Sequence, residues 1–182
     1  MGSPRDLSIE ELLSAGREST NLEYRQSGPW LRLRPSLIRT VLGMANTAGG
    51  GSIVVGVAER EGAFTAEGMT DGHVASFPKE EDFRAAVNGL AEPFVEPRLD
   101  IHSHEGKQYL VISTPEFEYE PVICMKTKWG TLEAGALYVR STRKPETTRI
   151  HNPTDMRALL RLVRRKLVAQ VRAEMEPPYQ SR

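Results

Sequence analysis

The chain has 182 residues, one cysteine, and 24 basic against 24 acidic side chains, for a formal net charge of zero. One domain with a sizeable core is expected at this length. The lone Cys124 rules out an internal disulfide framework and fits a reducing, cytoplasmic setting, and no apolar run approaches the about 18 residues of a membrane span.

The charge is unevenly spread. Residues 59–120 carry five bases against fourteen acids, and residues 121–182 carry thirteen bases against five acids. Such a split points either to an anionic partner at one end or to pairing of opposed faces, within the fold or between subunits. No basic-then-apolar signal pattern opens the sequence. Residues 1–7 are expected to be a disordered or appended segment, residues 8–176 one domain, and 177–182 a tail.

Ser8-Ile9-Glu10-Glu11 reads as a capping box opening a short helix over 8–15, with Gly16 as its stop. Leu22-Glu23-Tyr24-Arg25 alternates apolar and polar, which predicts a strand with Leu22 and Tyr24 inward. Gly28-Pro29-Trp30 breaks it. Pro35-Ser36 then opens a second helix that packs Leu37, Ile38, Val41, Leu42, Met44 and Ala45. Residues 52–58 are apolar on both faces and predict a single central strand. A third helix follows over Lys79 to Leu90. A hairpin runs from Arg98 to His104 and from Lys107 to Ser113 across Glu105-Gly106. After a loop over Pro115 to Pro121, strands are expected at Val122 to Lys126 and Ala136 to Arg140. Asn152-Pro153-Thr154-Asp155 starts a last helix reaching about Met175. Its expected packed stripe is Met156, Leu160, Val163, Leu167, Val171 and Met175, and Pro177-Pro178 ends the domain. The order predicts an α+β fold, a mixed β-sheet with helices packed on it.

Glu18 and Glu23 are five residues apart, so they converge only if Ser19-Thr20-Asn21 bends. Two acids held together raise one pKa unless a cation or a base lies between them. A hard ion such as Mg²⁺ or Mn²⁺ suits them and can activate water on a phosphodiester. Arg25 falls on the same strand face as Glu23 and can hold a phosphate. The plainer alternative is an exposed Glu18 and a Glu23 that simply pairs with Arg25. Glu59, just past the buried strand, is the best third acid, ahead of Glu61 and Asp71.

Three blocks then stand out: Glu18-Ser-Thr-Asn-Leu-Glu23-Tyr24-Arg25, the run from Met44 through Ala45-Asn46-Thr47-Ala48-Gly49-Gly50-Gly51 to Val57, and Gly135-Ala-Leu-Tyr138-Val139-Arg140-Ser-Thr142. Together they resemble the Schlafen AlbA-like family, a divergent domain described as DNA-binding. The resemblance implies a mixed α/β fold that binds nucleic acid, RNA more than DNA. It also implies that Glu18, Glu23 and Glu59 match three metal-holding acids of relatives that cut tRNA or rRNA with Mg²⁺ or Mn²⁺. Arg25 stands where the family usually has lysine, and Ala58 where an acid is common. The cutting relatives join two lobes, so a homodimer is expected here.

Other motifs yield less. Gly49-Gly50-Gly51 comes after a helix and before a strand, the reverse of a phosphate loop, and reads as a helix stop. His102 and His104 share a strand face without a third ligand. Arg140, Arg143 and Lys144, with Ser141 and Thr142, can contact phosphates or form a solvated loop. The expected function is therefore a cytoplasmic nucleic-acid-binding domain that is either a metal-dependent endoribonuclease or a non-catalytic binding or interaction module. Glu18, Glu23 and Glu59 would be catalytic, and Arg25, Arg140, Arg143 and Lys144 would steer the phosphates.

Overall fold

In the computed structural model, residues 7–141 and 143–175 are described; Thr142, most of the expected 1–7 segment and the 177–182 tail, with its Pro177-Pro178, lie outside them. The elements in chain order are α1 (Ile9–Ser14), β1 (Leu22–Arg25), α2 (Trp30–Ala45), β2 (Gly51–Val55), β3 (Val57–Arg60), β4 (Ala63–Ala66), α3 (Asp71–Ser76), α4 (Glu80–Asn88), β5 (Ala91–Glu92), β6 (Arg98–His104), β7 (Lys107–Thr114), β8 (Ile123–Cys124), β9 (Tyr138–Arg140), β10 (Thr147–Arg149) and α5 (Pro153–Met175).

The fold is α+β around a mixed sheet in the order β1-β2-β7-β6. β1 runs parallel to β2, with α2 as the crossover, while β7 is antiparallel to both β2 and β6. Alternation along the strands fixes the layers. Ile53, Val55, Leu110 and Ile112 pack with α2 and, beyond it, with Tyr138, Leu159 and Leu162 in the main core. Val54, Tyr109 and Val111 point the other way, onto Leu12 of α1, Leu22, Tyr24 and Val57. β2 is thus covered on both faces, which is why it is apolar throughout. α2 lies between the sheet and the β9–β10 pair, and its approach to β10 is close: a Cβ on Gly43 would meet Thr147 Cγ2 at 2.6 Å.

The capping box at Ser8 is present in full, the strand at 22–25 forms, and the hairpin turns at Glu105-Gly106. Four expectations are corrected. α2 begins at Trp30, not Pro35, because Pro29 ends the extended segment and the helix tolerates Pro35 inside it. The expected strand 52–58 is two strands. Gly56, at φ 112°, takes the chain out of the sheet, its carbonyl accepting from the Glu67 and Gly68 amides into the β3–β4 hairpin. The segment at 122–126 is strand only at Ile123–Cys124. The packed stripe of α5 is corrected too: Asp155, Leu159 and Leu162 face the core, and of the expected stripe only Val163 packs against it, while Leu160 is 56% and Met175 78% exposed. The second half of the helix meets the domain along the Glu116–Tyr119 loop, through Lys166, Ala169 and Ala173, so periodicity alone chose the wrong face. α3, β4, β5 and β10 carry too little periodicity to be read from sequence and were not expected.

The Ala45-to-Gly51 junction is held from several sides. Asn46, buried, donates from Nδ2 to the Val122 and Tyr138 carbonyls at 2.8 and 2.9 Å and accepts the Val122 amide at 2.7 Å. Thr47 Oγ1 donates to the Gly43 carbonyl and accepts the Arg140 amide. Gly50 has φ 66°, and a Cβ there would stand 2.1 Å from the Thr114 carbonyl oxygen. Only glycine fits that approach.

Candidate nucleic-acid interface

β1 is an edge strand of the sheet, and its free backbone groups organise the site. The chain turns tightly just before it: the Ser19 amide donates to the Leu22 carbonyl at 2.9 Å, and the Leu22 amide donates back at 3.4 Å. That turn is the bend required at Ser19-Thr20-Asn21. It folds Glu18 back so that Oε1 accepts the edge amide of Tyr24 at 3.0 Å. Glu18 and Glu23 then line one cavity of about 320 Å³ with Arg25, Ser36, Arg39, Thr40, Thr131 and the segment Pro145-Glu146-Thr147.

The two carboxylates differ sharply. Glu18 is half-buried, and its pKa is raised first by desolvation and further by the charge of Glu59, against the pull of the Tyr24 amide and Arg25. Glu23 is 2% exposed and clamped: Arg25 Nη2 pairs with Oε1, Arg140 Nη1 pairs with Oε2, and Thr40 Oγ1 donates to Oε1 at 3.3 Å.

The arginines differ as well. The Arg140 side chain is fully buried, and its Nη2 donates to the carbonyls of Ser19 at 2.9 Å, Pro145 at 2.8 Å and Leu22 at 3.5 Å. Its donors face the interior, so it holds Glu23 and the β1 edge in place. Arg25 is 34% exposed. Its pKa is lowered first by desolvation, and the neighbouring Arg39 lowers it further, while Glu18 raises it. Arg39 donates to the Thr147 carbonyl at 2.5 Å and lies over the Tyr138 ring. Arg143 and Lys144 are exposed on the loop that leads into Pro145 and Glu146 at the cavity rim, and Lys144 pairs with Glu146 at 3.3 Å.

Glu59 is exposed on β3 and is not part of the cavity lining, although its charge reaches Glu18. As arranged, these carboxylates do not fit a divalent cation. Both oxygens of Glu23 are taken by guanidinium groups, and among the described residues no three His, Cys, Asp or Glu side chains come together as ligands.

Sequence reasoning missed Arg39, Ser36 and Thr40. Their signal was present as polar residues three and four apart on one face of a helix whose last two turns are otherwise apolar. It also missed Thr131 and Thr147, which reach the cavity only through the tertiary fold.

The Schlafen, AlbA_2 family model matches residues 18–149, and the chain belongs to that family. Two solved structures are similar to the chain, and the first of them shares its fold. The DIP2311 protein from Corynebacterium diphtheriae is 15% identical over 78% of this chain, with a TM-score of 0.51. This chain spans only 29% of that protein's length. The N-terminal domain of a RecG-related protein from Nitrosomonas europaea, solved in solution, is 21% identical, with a TM-score of 0.49 over 84% of this chain and 99% of that domain. No curated protein matches the chain. No helix among the described residues is long and apolar enough to cross a membrane.

Proposed function

We propose that this Schlafen AlbA_2 domain binds nucleic acid, RNA in preference to DNA, and that it takes the phosphate backbone at the mouth of the Glu18–Glu23 cavity. The observation that carries this reading is the pairing of like charges. Arg25 and Arg39 sit close enough for one to depress the pKa of the other, beside a rim loop that presents Arg143 and Lys144. Cationic groups held together at a concave surface are what an anionic backbone requires. Arg143 and Lys144 steer the strand, Arg25 and Arg39 meet it, and Arg140 acts through Glu23 from behind.

A second reading, metal-dependent cleavage of structured RNA such as tRNA, is favoured by the placement of Glu18 and Glu23 in one cavity. It requires Glu23 to leave at least one of its arginines. In either reading a second lobe would be a second copy of this chain, seen as a mass of about twice 20.3 kDa in sedimentation.

The test is incubation of the chain with tRNA and with single-stranded DNA, with Mn²⁺ or with chelator. A shifted, intact RNA band that weakens with salt is the expected result. Mn²⁺-dependent fragments would establish the second reading, and neither shift nor fragments would overturn both.

A further inference from the structure

We propose that Arg25 is an exchangeable clamp: it holds the Glu23 carboxylate when the cavity is empty and transfers to a nucleic-acid phosphate when one arrives, while Arg140 stays on Glu23. This rests on the reading of the cavity as a nucleic-acid site.

Burial and anchoring distinguish the two arginines on the one carboxylate. Arg140 is fully buried and anchored by three backbone carbonyls, so it has nowhere to go. Arg25 has a third of its side chain in solvent. Among the described residues its other hydrogen bond is a long one of 3.4 Å, from Nη1 to its neighbour's carbonyl at Tyr24. Each arginine meets Glu23 through a single Nη, and among the described residues neither Nε–H has an acceptor, but only Arg25 has a partly exposed side chain that can turn its Nε–H towards an incoming anion. A guanidinium binds an oxyanion best through a parallel pair of N–H groups. Glu23 uses only one prong, and the unused Nε–H beside it is what a phosphate would add.

The exchange leaves no orphaned charge. Glu23 keeps Arg140 and the Thr40 hydroxyl when Arg25 departs. Removing one of two partners from a buried carboxylate is far milder than removing the only one.

The experiment is arginine side-chain and carboxylate NMR of the whole chain during titration with a ten-nucleotide 2′-deoxy-blocked RNA. It is paired with affinity measurements on wild type and Glu23→Gln. The expected result has Arg25 guanidinium and Glu23 carboxylate signals shifting together while Arg140 signals hold. Glu23→Gln should bind the oligonucleotide at least threefold more tightly, because the competing carboxylate is gone. Binding with unmoved Arg25 and Glu23 signals would overturn the exchange while leaving the nucleic-acid reading standing. So would an affinity for a folded Glu23→Gln equal to or weaker than wild type. Should that variant fail to fold, the wild-type titration decides alone. No binding by wild type at all would overturn the underlying reading as well.

Discussion

Glu23 and Arg140, 117 residues apart in sequence, form a buried ion pair that ties the edge strand β1 to β9. It joins the first and last of the three sequence blocks that carry the family resemblance. Removing Arg140 leaves the buried Glu23 carboxylate with the partly exposed Arg25 and the Thr40 hydroxyl, and takes a donor from three carbonyls. Arg140→Met is therefore expected to destabilise the chain in urea unfolding, by less than the about 3–5 kcal/mol that follows when a buried charge loses its only partner. In a cycle with Glu23→Gln the double variant should be at least about 1 kcal/mol less damaged than the sum of the singles. Strict additivity would show that the pair is not coupled.

The glycine junction gives a sharp contrast between two positions of similar backbone. Gly50→Ala drives a Cβ into the Thr114 carbonyl and should cost more than about 4 kcal/mol or prevent folding. Gly62→Ala, at φ 81° but with nothing within 4 Å, should cost only about 1 kcal/mol from backbone strain. Thermal melts of the two variants side by side measure the difference.

Asn46 is a comparable case with side-chain chemistry in place of space. Asn46→Ala strands the Val122 amide and two carbonyls in the core, a loss of about 2–4 kcal/mol. Asn46→Asp, of equal size, should be at least as damaging, because it points an anionic oxygen at carbonyl oxygens.

Two carboxylates are expected to give opposite pH trends. Glu116 is pulled up by burial, but the Lys166 ammonium, the Gly49 amide and Arg165 together outweigh it and hold its pKa below the ordinary 4.5. Its contribution is thus complete above 4.5 and disappears as pH falls through the lowered value. Glu116→Gln should cost about 1–2 kcal/mol at pH 7 and progressively less in acid. Glu18 is shifted the other way by desolvation, so its folded form binds protons more tightly than the unfolded chain, and stability falls as pH rises from 4.5 through the raised value. Glu18→Gln should therefore compare better with wild type at pH 7 than at pH 4. Melting temperatures across pH 3–8 test both trends.

How much of this was legible in the sequence depended on how local each feature is. The capping box at Ser8, the turn at Glu105-Gly106 and the buried side of α2 are set by residues a few positions apart, and all were readable. Bending at Ser19-Thr20-Asn21 was readable as a condition on Glu18 and Glu23, and the pairing of Glu23 with Arg25 was the plainer of two alternatives. The second guanidinium on Glu23 was not readable, because Arg140 arrives through the packing of β9 on α2. For the same reason a residue that looks like a phosphate contact in sequence is buried in the fold. The α5 stripe failed because the face turned to the domain is set by tertiary packing: Leu160, Leu167 and Val171 keep helical spacing but stand on the solvent side, while Leu159 and Leu162 pack inward.

The central claim is that the cavity mouth with its rim loop engages the phosphate backbone. The most direct test is the salt dependence of affinity for a fluorescent RNA, comparing wild type with Arg25→Gln/Arg143→Gln/Lys144→Gln, and with Lys79→Gln from the acidic side as control. Each phosphate contact contributes about 0.7–0.9 to the slope of log affinity against log salt. The account predicts a slope about 2 units shallower and at least tenfold weaker binding for the triple variant, with the Lys79 variant unchanged. An affinity and slope equal to wild type in the triple variant would contradict it.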